Sequence, residues 1–452
     1  MRVLPVRLWI SVAAVLALTV QVPAADIPKV TFSDSRLDNG LRVLIAEDHV
    51  APVFSIAVTY NVGSRDERKG RTGFAHLFEH MMFKGSENVG PGEHFMLVFN
   101  NGGSMNGTTN KDRTLYFETM PANQLDLALF LEADRMRSLE ITKENLDNQR
   151  HAVQEERRLG VDNQPYGRTF EAIDELAYDN FAYAHSVIGS MEDLSAASVD
   201  DVASFFKTYY APNNAVLAIV GDVKKDECLA KVRKYFGAIP AQPPPAAVDT
   251  TEPPQKAERR LSLDDPLARL ERLDMVFKIP PAMSPDEDPL SVLGTILGSG
   301  RSSRLYEQVV RQRQLASNVS AFASSNRGPG LFRVTAMAAP GKPVGAVEEA
   351  VLEEIERIKA GDIAAWEMEK ARTAARSSLV GSLQSSLSRA VLLSQYALFH
   401  DDPDLINRRA ERIAAVTAQD VQRVARTYLT RENRSVVLTL PKPPAGAPKG
   451  GA

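Results

Sequence analysis

The chain has 452 residues, of which 44% are hydrophobic and 24% charged, and its formal net charge is −4. This length exceeds what one hydrophobic core supports, so two domains are expected, and the composition excludes disordered and fibrous classes. The negative net charge argues against nucleic acid or an anionic membrane surface as a partner. Because Cys228 is the single cysteine, no intramolecular disulfide can form.

The first 24 residues have the pattern of a secretory signal. Arg2 and Arg7 precede an apolar run at residues 8–20, and small residues lead to a cleavage site predicted after Ala24. The alternative is an uncleaved membrane anchor, but a spanning helix needs about 20 apolar residues and this run is shorter. The sequence therefore predicts a cleaved signal and a periplasmic protein without a stable membrane anchor.

Residues 25–238 have the mixture of strand and helix patterns that is typical of an α+β domain. The apolar periodicity predicts strands at 42–46, 53–60 and 115–119, and helices at 73–84, 124–137 and 143–159. Thr142 is a plausible N-cap for the last helix. Gly85 and Gly160 are expected to end the first and third helices, since glycine favours the position after a helix.

The helix predicted at residues 73–84 lies in the stretch GFAHLFEHMMFKG and carries His76, Glu79 and His80. A helix has 3.6 residues per turn, so the two histidines lie one turn apart, with the glutamate beside them. Two imidazoles and a carboxylate suit Zn²⁺, which keeps a fourth position for water in catalytic sites. The alternative is that these are unrelated surface or core histidines, but the chain has only 7 histidines, and chance accounts poorly for this spacing.

This stretch resembles the pitrilysin (inverzincin) family of zinc peptidases, whose signature is His-x-x-Glu-His. The resemblance implies that His76 and His80 bind one Zn²⁺ per chain and that Glu79 is the catalytic base. In that family a glutamate on a later helix is the third ligand, and Glu156, 76 residues after His80, matches it in the segment NQRHAVQEERR. The neighbouring Glu155 is the alternative, a solvated helix carboxylate.

Two further segments bear on the resemblance. Gln149 stands where the family often has a supporting glutamate, so a hydrogen-bonding group is kept and a charge is lost. This difference is expected to affect metal affinity more than ligand identity. The segment DNQPYG at residues 162–167 is similar to bacterial members of the family.

A candidate substrate-binding segment, GGSMNGTT, occupies residues 102–109 and is followed by TLYF. In relatives the corresponding strand edge pairs with the substrate backbone, which is peptide recognition by strand addition. The resemblance therefore implies a substrate contact at Asn106. The alternative is an ordinary hairpin with Asn106 and Gly107 as its turn.

Residues 239–258 are rich in proline and predict a semi-rigid linker. Residues 259–440 then repeat the first domain: Asp201 and Tyr209 match Asp420 and Tyr428, each pair 219 positions apart. The helical patterns at 124–137 and 143–159 have counterparts at 344–359 and 364–380. Residues 441–452, composed mainly of proline, glycine, alanine and lysine, predict a disordered tail.

The second half has no His-x-x-Glu-His motif, so no metal is expected there. Its segment SSRLYEQVVR resembles the approach to an Arg–Tyr pair that, in single-chain and homodimeric relatives, reaches the substrate carbonyl. Arg311 stands at the arginine position, but Ser317 and Asn318 stand near the expected tyrosine. The resemblance thus implies a homologous zinc-less partner subunit that supplies Arg and Tyr. The alternative is that Tyr306 or a water substitutes and the chain acts alone.

The predicted fold is α+β, with two homologous pitrilysin-type domains, each a sheet covered by helices, joined by the proline-rich linker. The resemblance implies a zinc endopeptidase that hydrolyses peptides or unfolded segments. The competing hypothesis is a non-catalytic assembly subunit, against which the intact motif argues. The remaining histidines show no ligand spacing and are expected to be solvent or packing residues: His49, His94, His151, His185 and His400.

Overall fold

The structure is a computed structural model that describes residues 27–442. The signal predicted at residues 1–24 lies outside the described residues, and so do residues 443–452 of the predicted tail. Pro441, predicted as the first residue of the tail, belongs to the last strand of the fold.

The described part of the first half alternates strands and helices. Its strands are β1 (Ser33–Arg36), β2 (Arg42–Glu47), β3 (Val53–Tyr60), β4 (Ser104–Thr109), β5 (Thr114–Pro121) and β6 (Ala215–Gly221). Its helices are α1 (Phe74–Met81), α2 (Glu93–Asn100), α3 (Leu125–Arg137), α4 (Lys143–Arg157), α5 (Gly167–Ala177), α6 (Met191–Ser195), α7 (Val199–Tyr209) and α8 (Lys225–Phe236).

The second half follows the same plan. Its strands are β7 (Arg259–Asp265), β8 (Arg272–Ile279), β9 (Ala316–Ser324), β10 (Gly330–Ala338) and β11 (Arg434–Pro441). Its helices are α9 (Glu287–Gly298), α10 (Val344–Ala360), α11 (Ala365–Leu383), α12 (Ser386–His400), α13 (Leu405–Ala415) and α14 (Ala418–Tyr428).

The two sheets have matching topologies. The first has the strand order β1-β2-β6-β3-β5-β4 and the second has β7-β11-β8-β10-β9. The parallel pair β2 and β6 corresponds to the parallel pair β7 and β11, and the other neighbours are antiparallel in both sheets. Apart from β1, the second sheet therefore repeats the first, which confirms two homologous α+β domains.

The repeat extends to helix caps. Ser198 caps α7 and forms a capping box with Asp201, while Thr417 caps α14 and forms the same box with Asp420. In each box the hydroxyl accepts the N–H of the third helical residue, whose carboxylate binds back to the cap. Corresponding residues are 219 positions apart, the offset found in the sequence.

The two domains exchange helices across their interface. The second-half helix α12 packs on β3 and β6 of the first sheet, where Leu393 joins a buried cluster with Ala218. In return, the first-half helix α5 packs on the second sheet, where Ile173 joins a cluster with Val437. Each sheet therefore has one face covered by a helix of the other half, which ties the domains together.

The proline-rich segment between α8 and β7 contains no regular element and docks on both halves. The buried carboxylate of Glu252 accepts the N–H groups of Asp179 and Asn180 and pairs with Lys278 at 2.5 Å. These contacts hold the linker against both halves of the chain.

Some predicted boundaries were wrong. The first predicted helix ends at Met81, short of residue 84, because the following N–H groups close a tighter turn, Lys84 N–H donating to the Met81 carbonyl at 2.9 Å. The chain after α4 continues past Gly160 as a π-helical turn, Arg158–Asp162. No helix among residues 27–442 is long and apolar enough to cross a membrane.

Candidate metal centre

Two helices bring the predicted ligands together. Helix α1 begins after Gly73 and carries His76 and His80 on the face that packs against α4. Helix α4 begins at Thr142, whose side chain accepts the N–H of Asn145, and its last turn carries Glu156. The N-cap of α4 thus fixes the start of this helix, and the other end of the helix faces the histidines.

The three side chains converge at one point. His76 Nε2 lies 3.6 Å from one Glu156 carboxylate oxygen, and His80 Nε2 lies 3.3 Å from the other. One ligand atom from each residue lies within 4.8 Å of the others. Glu155 points elsewhere: its side chain is 57% exposed and pairs with Arg158 at 3.0 Å. The geometry therefore brings Glu156, and not Glu155, to the histidines.

The protonation states of this cluster suit a divalent metal. Burial, together with the charge of His80, lowers the pKa of His76 to about 4, so its ring is neutral and offers a lone pair. The hydrogen bond with His80 lowers the pKa of Glu156, which keeps that carboxylate ionised. Neutral imidazole and ionised carboxylate are the forms that bind zinc.

Glu79 lies beside the cluster in a tightly packed position. Its Oε2 accepts a hydrogen bond from Thr109 Oγ1 at 2.6 Å. A Cβ on Gly107 would stand 2.9 Å from Glu79 Cγ, so glycine is needed for strand β4 to approach this closely. Burial raises the pKa of Glu79. Neither Thr109 nor Gly107 was predicted to contact the glutamate.

The predicted substrate contact, Asn106, lies exposed in β4 at the edge of the first sheet. Asn106 and Gly107 are both paired within the strand, so the alternative that they form a hairpin turn is wrong. The turn lies farther along, where Asn110 Oδ1 accepts the N–H groups of Asp112 and Arg113. Among the described residues, the outer edge of β4 carries no strand.

Arg311 is not brought into the cluster. Its guanidinium is 72% exposed and pairs at 3.1 Å with Glu307, one turn earlier. Ser317 and Asn318 are exposed on β9, and Tyr306 packs against the core of the second domain. Of these three, only Tyr306 has a phenol, and it packs against the second-domain core.

Gln149 is buried on α4, and its Nε2 donates to Asn148 Oδ1 at 2.5 Å. The Nδ1 atom of His76 is also buried and has no hydrogen-bond partner among the described residues. His76 is therefore not oriented by a hydrogen bond from a described residue at its second ring nitrogen.

A second cluster of possible ligands is buried and consists of His94 on α2, Glu118 on β5 and Glu132 on α3. Both oxygens of Glu132 already pair with Arg135, whose guanidinium also stacks on Tyr116 at 4.4 Å. Burial raises the pKa of Glu118 well above its usual range and lowers that of His94. With Glu118 and His94 neutral, the charges of Glu132 and Arg135 balance each other, so we assign no metal to this cluster.

Sequence reasoning also overlooked a pair beside α1. His185, expected to be a solvent or packing residue, is buried, and its Nε2 lies 3.0 Å from Glu67 Oε2. The sequence signal was indirect: α1 starts at Gly73, which has no side chain to cap the helix, so an external cap was required.

Comparisons with known proteins identify the family to which the two domains belong. The family model described as Insulinase (Peptidase family M16) matches residues 42–190, and the model described as Peptidase M16 inactive domain matches residues 196–375. The chain is 29% identical over 411 residues to Zinc protease PqqE of Helicobacter pylori, covering 90% of this chain and 92% of that protein.

Two further similarities are informative. The crystal structure of a protease from Helicobacter pylori superposes with a TM-score of 0.87 at 28% identity, covering 91% of this chain and 100% of that one. The Arabidopsis thaliana protein named probable mitochondrial-processing peptidase subunit beta is 25% identical over 409 residues, covering 87% of this chain and 75% of that protein.

Proposed function

Because the chain belongs to the M16 (pitrilysin) peptidase family, we propose that it is a zinc-dependent endopeptidase that hydrolyses peptides or unfolded polypeptide segments. The observation that carries this proposal is the convergence of His76, His80 and Glu156, with Glu79 on the same helix as the histidines. The proposal fits the name zinc protease given to the relative from Helicobacter pylori.

We propose that His76, His80 and Glu156 hold one zinc ion per chain. Two imidazoles and one carboxylate form a three-ligand set of the kind that catalytic zinc sites use. A zinc ion held there would lower the pKa of a water molecule and polarise the scissile carbonyl.

The role of general base falls to Glu79. Its raised pKa favours exchange of a proton nearer neutral pH than an ordinary carboxyl allows. Since Thr109 fixes Oε2, Oε1 is the oxygen left to take the proton of the attacking water and pass it to the leaving amine. The contact with Gly107 restricts where this carboxylate can move.

The substrate is proposed to bind as an added strand at the outer edge of β4. An exposed sheet edge offers unpaired N–H and C=O groups that an extended peptide can satisfy. This mode places Asn106 against the substrate and selects peptides or unfolded segments over folded proteins. Arg311 is the candidate second contact, since its guanidinium is exposed and bound only weakly at the surface.

We further propose that the chain works with a homologous zinc-less subunit that supplies an Arg and a Tyr. This proposal is supported by Asn318 at the tyrosine position and by the surface placement of Arg311. The signal-like pattern at residues 1–24 supports a periplasmic location for the pair.

The deciding experiment is the substitution Glu79→Gln. The variant should keep one zinc per chain and lose peptide hydrolysis, because the ligands remain and the proton acceptor is removed. Zinc content and cleavage of a peptide library are measured on the same purified sample. Retained turnover would refute the role of Glu79. Zinc well below one per chain in the wild type would instead favour the non-catalytic assembly subunit.

A further inference from the structure

The N-terminal turn of α1 is held by a carboxylate from outside the helix. Gly73 at the N-cap has a φ of 83° and no side chain that could accept a helix N–H. Glu67 takes this role: its Oε1 accepts the N–H of Ala75 at 2.7 Å and its Oε2 that of Gly73 at 2.9 Å. Because Ala75 adjoins His76, this carboxylate fixes the backbone from which the first ligand projects.

His185 completes the cap. Its Nε2 lies 3.0 Å from Glu67 Oε2, its Nδ1 lies 2.8 Å from the Phe181 carbonyl, and its ring stacks on that of Phe181. Both partners are hydrogen-bond acceptors, so the pair is satisfied when both ring nitrogens donate. The side chain of Glu67 is fully buried, and that of His185 nearly so. Removing one partner would leave a buried charge uncompensated.

The bridging segment, residues 185–193, continues along the start of α1. Asp193 Oδ2 accepts hydrogen bonds from the N–H and the hydroxyl of Thr72, at 2.9 and 2.5 Å. Gly189 lies so close to Gly73 that a Cβ on it would stand 2.4 Å from the Gly73 Cα. The bridging segment therefore contacts the start of α1 directly at Thr72 and Gly73 and, through Glu67, at Ala75.

The same segment also contacts the end of α4. Arg157 donates from Nη1 to the carbonyl of Gly189 at 2.7 Å and pairs with Glu171. Arg157 directly follows the ligand Glu156. The bridging segment thus connects the helix that carries both histidines with the helix end that carries the glutamate.

We propose that Glu67, His185 and Asp193 are positioning residues for metal binding, which rests on the proposed zinc function. Through the N-terminal turn of α1 they hold His76 at the distance from Glu156 that one metal ion requires. Their contacts take the place of a hydrogen bond to the second ring nitrogen of His76, which has no partner among the described residues. In most zinc sites that partner orients the ligand, and its loss weakens metal binding by about 10- to 100-fold.

The test compares three variants with the wild type. Glu67→Gln presents an amide N–H to groups that are themselves donors, and Asp193→Asn weakens the Thr72 contact with less disturbance of the core. Asp420→Asn is the matched control, because Asp420 accepts the N–H and the hydroxyl of Thr417 at the start of α14 in the second half, as Asp193 does those of Thr72. For each protein we would measure the zinc dissociation constant by chelator competition, the absorption spectrum of the Co²⁺ form, and kcat and KM separately.

Glu67→Gln is expected to raise the zinc dissociation constant by about tenfold or more, to alter the Co²⁺ spectrum and to lower kcat with little change in KM. Asp193→Asn should act in the same direction and more weakly, and Asp420→Asn should change none of these. The proposal is overturned if Glu67→Gln or Asp193→Asn folds and binds zinc with the affinity and spectrum of the control. If Glu67→Gln does not fold, Asp193→Asn decides. A wild type that binds no zinc refutes the proposed function itself.

Discussion

The choice between two adjacent glutamates is made by the position of each side chain on α4. Glu156 faces the histidines within 3.6 Å, whereas Glu155 is more than half exposed and pairs with Arg158. In the sequence, helical spacing alone does not distinguish them, since one side chain lies only about 100° from the next. The resemblance to the family selected Glu156 by its distance of 76 residues from His80, which helical periodicity does not use.

We expect Glu156→Gln to bind zinc at least about tenfold more weakly than the wild type and to lose most peptide hydrolysis, because a charged ligand becomes neutral. Glu155→Gln is the matched control: it makes the same chemical change one residue earlier, on an exposed side chain, and should leave both quantities unchanged. Zinc content after dialysis and kcat/KM provide the measurement. Equal losses in the two variants would contradict the assignment of Glu156.

His185 makes the stability of the zinc-free protein depend on pH. Burial and the charge of Lys111 disfavour its protonated ring, but the hydrogen bond and charge of Glu67 outweigh them and raise the pKa of His185 above 6.5. A raised pKa means that the folded state holds the proton more tightly than the unfolded state does. The stabilisation is therefore fully present below pH 6.5 and is lost as the pH rises through the folded-state pKa.

We expect the free energy of unfolding of the zinc-free protein to fall as the pH rises above 6.5, and to fall less in His185→Gln. Urea unfolding at several pH values measures both slopes, and their difference isolates this side chain from the other histidines. Parallel slopes for the two proteins would show that His185 does not hold the proton inferred from its two acceptors.

At the scale of elements, local sequence patterns predicted most strand and cap positions. They predicted few of the features that depend on tertiary contacts. The strands at residues 42–46 and 53–60 and the N-cap at Thr142 were predicted correctly because alternation and capping are local properties. The turn considered at Asn106 and Gly107 was misplaced because both residues pair within β4. Gly107 lies there against Glu79. That contact joins residues far apart in the chain.

The exchange of α5 and α12 was also beyond sequence reasoning. An amphipathic pattern shows that a helix buries one face but not which sheet it covers. Only the structure places Leu393 against the first sheet and Ile173 against the second. The internal repeat was predictable because equivalent residues recur at one offset, while the crossing of the helices between copies leaves no such mark.

Leu393→Ala should destabilise the whole chain and not only the second half. Leu393 is fully buried against the first sheet, and truncation of such a side chain costs about 2–5 kcal/mol. Because each sheet is covered by a helix of the other half, a single cooperative transition is expected to move to lower temperature. Leu392→Ala, at a partly buried neighbour, is the control and should have a smaller effect.

Calorimetry tests this cooperativity. Equal calorimetric and van't Hoff enthalpies indicate one transition, whereas two separated peaks would indicate independently unfolding domains. Two peaks, of which Leu393→Ala moves only one, would contradict the inference from the exchanged helices.

For the molecule as a whole, the proposed metal ligands and base lie in the first half, and the second half contributes by packing. Its helix α12 covers the sheet that carries the proposed substrate-binding edge. Among residues 27–442, no tyrosine of the second half stands at the position that the family resemblance assigns to one, where Asn318 is found. An amide side chain is shorter than a phenol, so a developing oxyanion would lack that donor.

We therefore expect the isolated chain to bind zinc and to hydrolyse peptides slowly, and a homologous zinc-less subunit with the Arg–Tyr pair to raise kcat. One lost oxyanion donor corresponds to about 3 kcal/mol, or roughly 100-fold in rate. Peptide hydrolysis is measured with the chain alone, with the second subunit, and with a second subunit in which the tyrosine is replaced by phenylalanine. The last should bind equally well and stimulate far less. Full activity of the isolated chain, unchanged by either subunit, would show that this chain completes its own site.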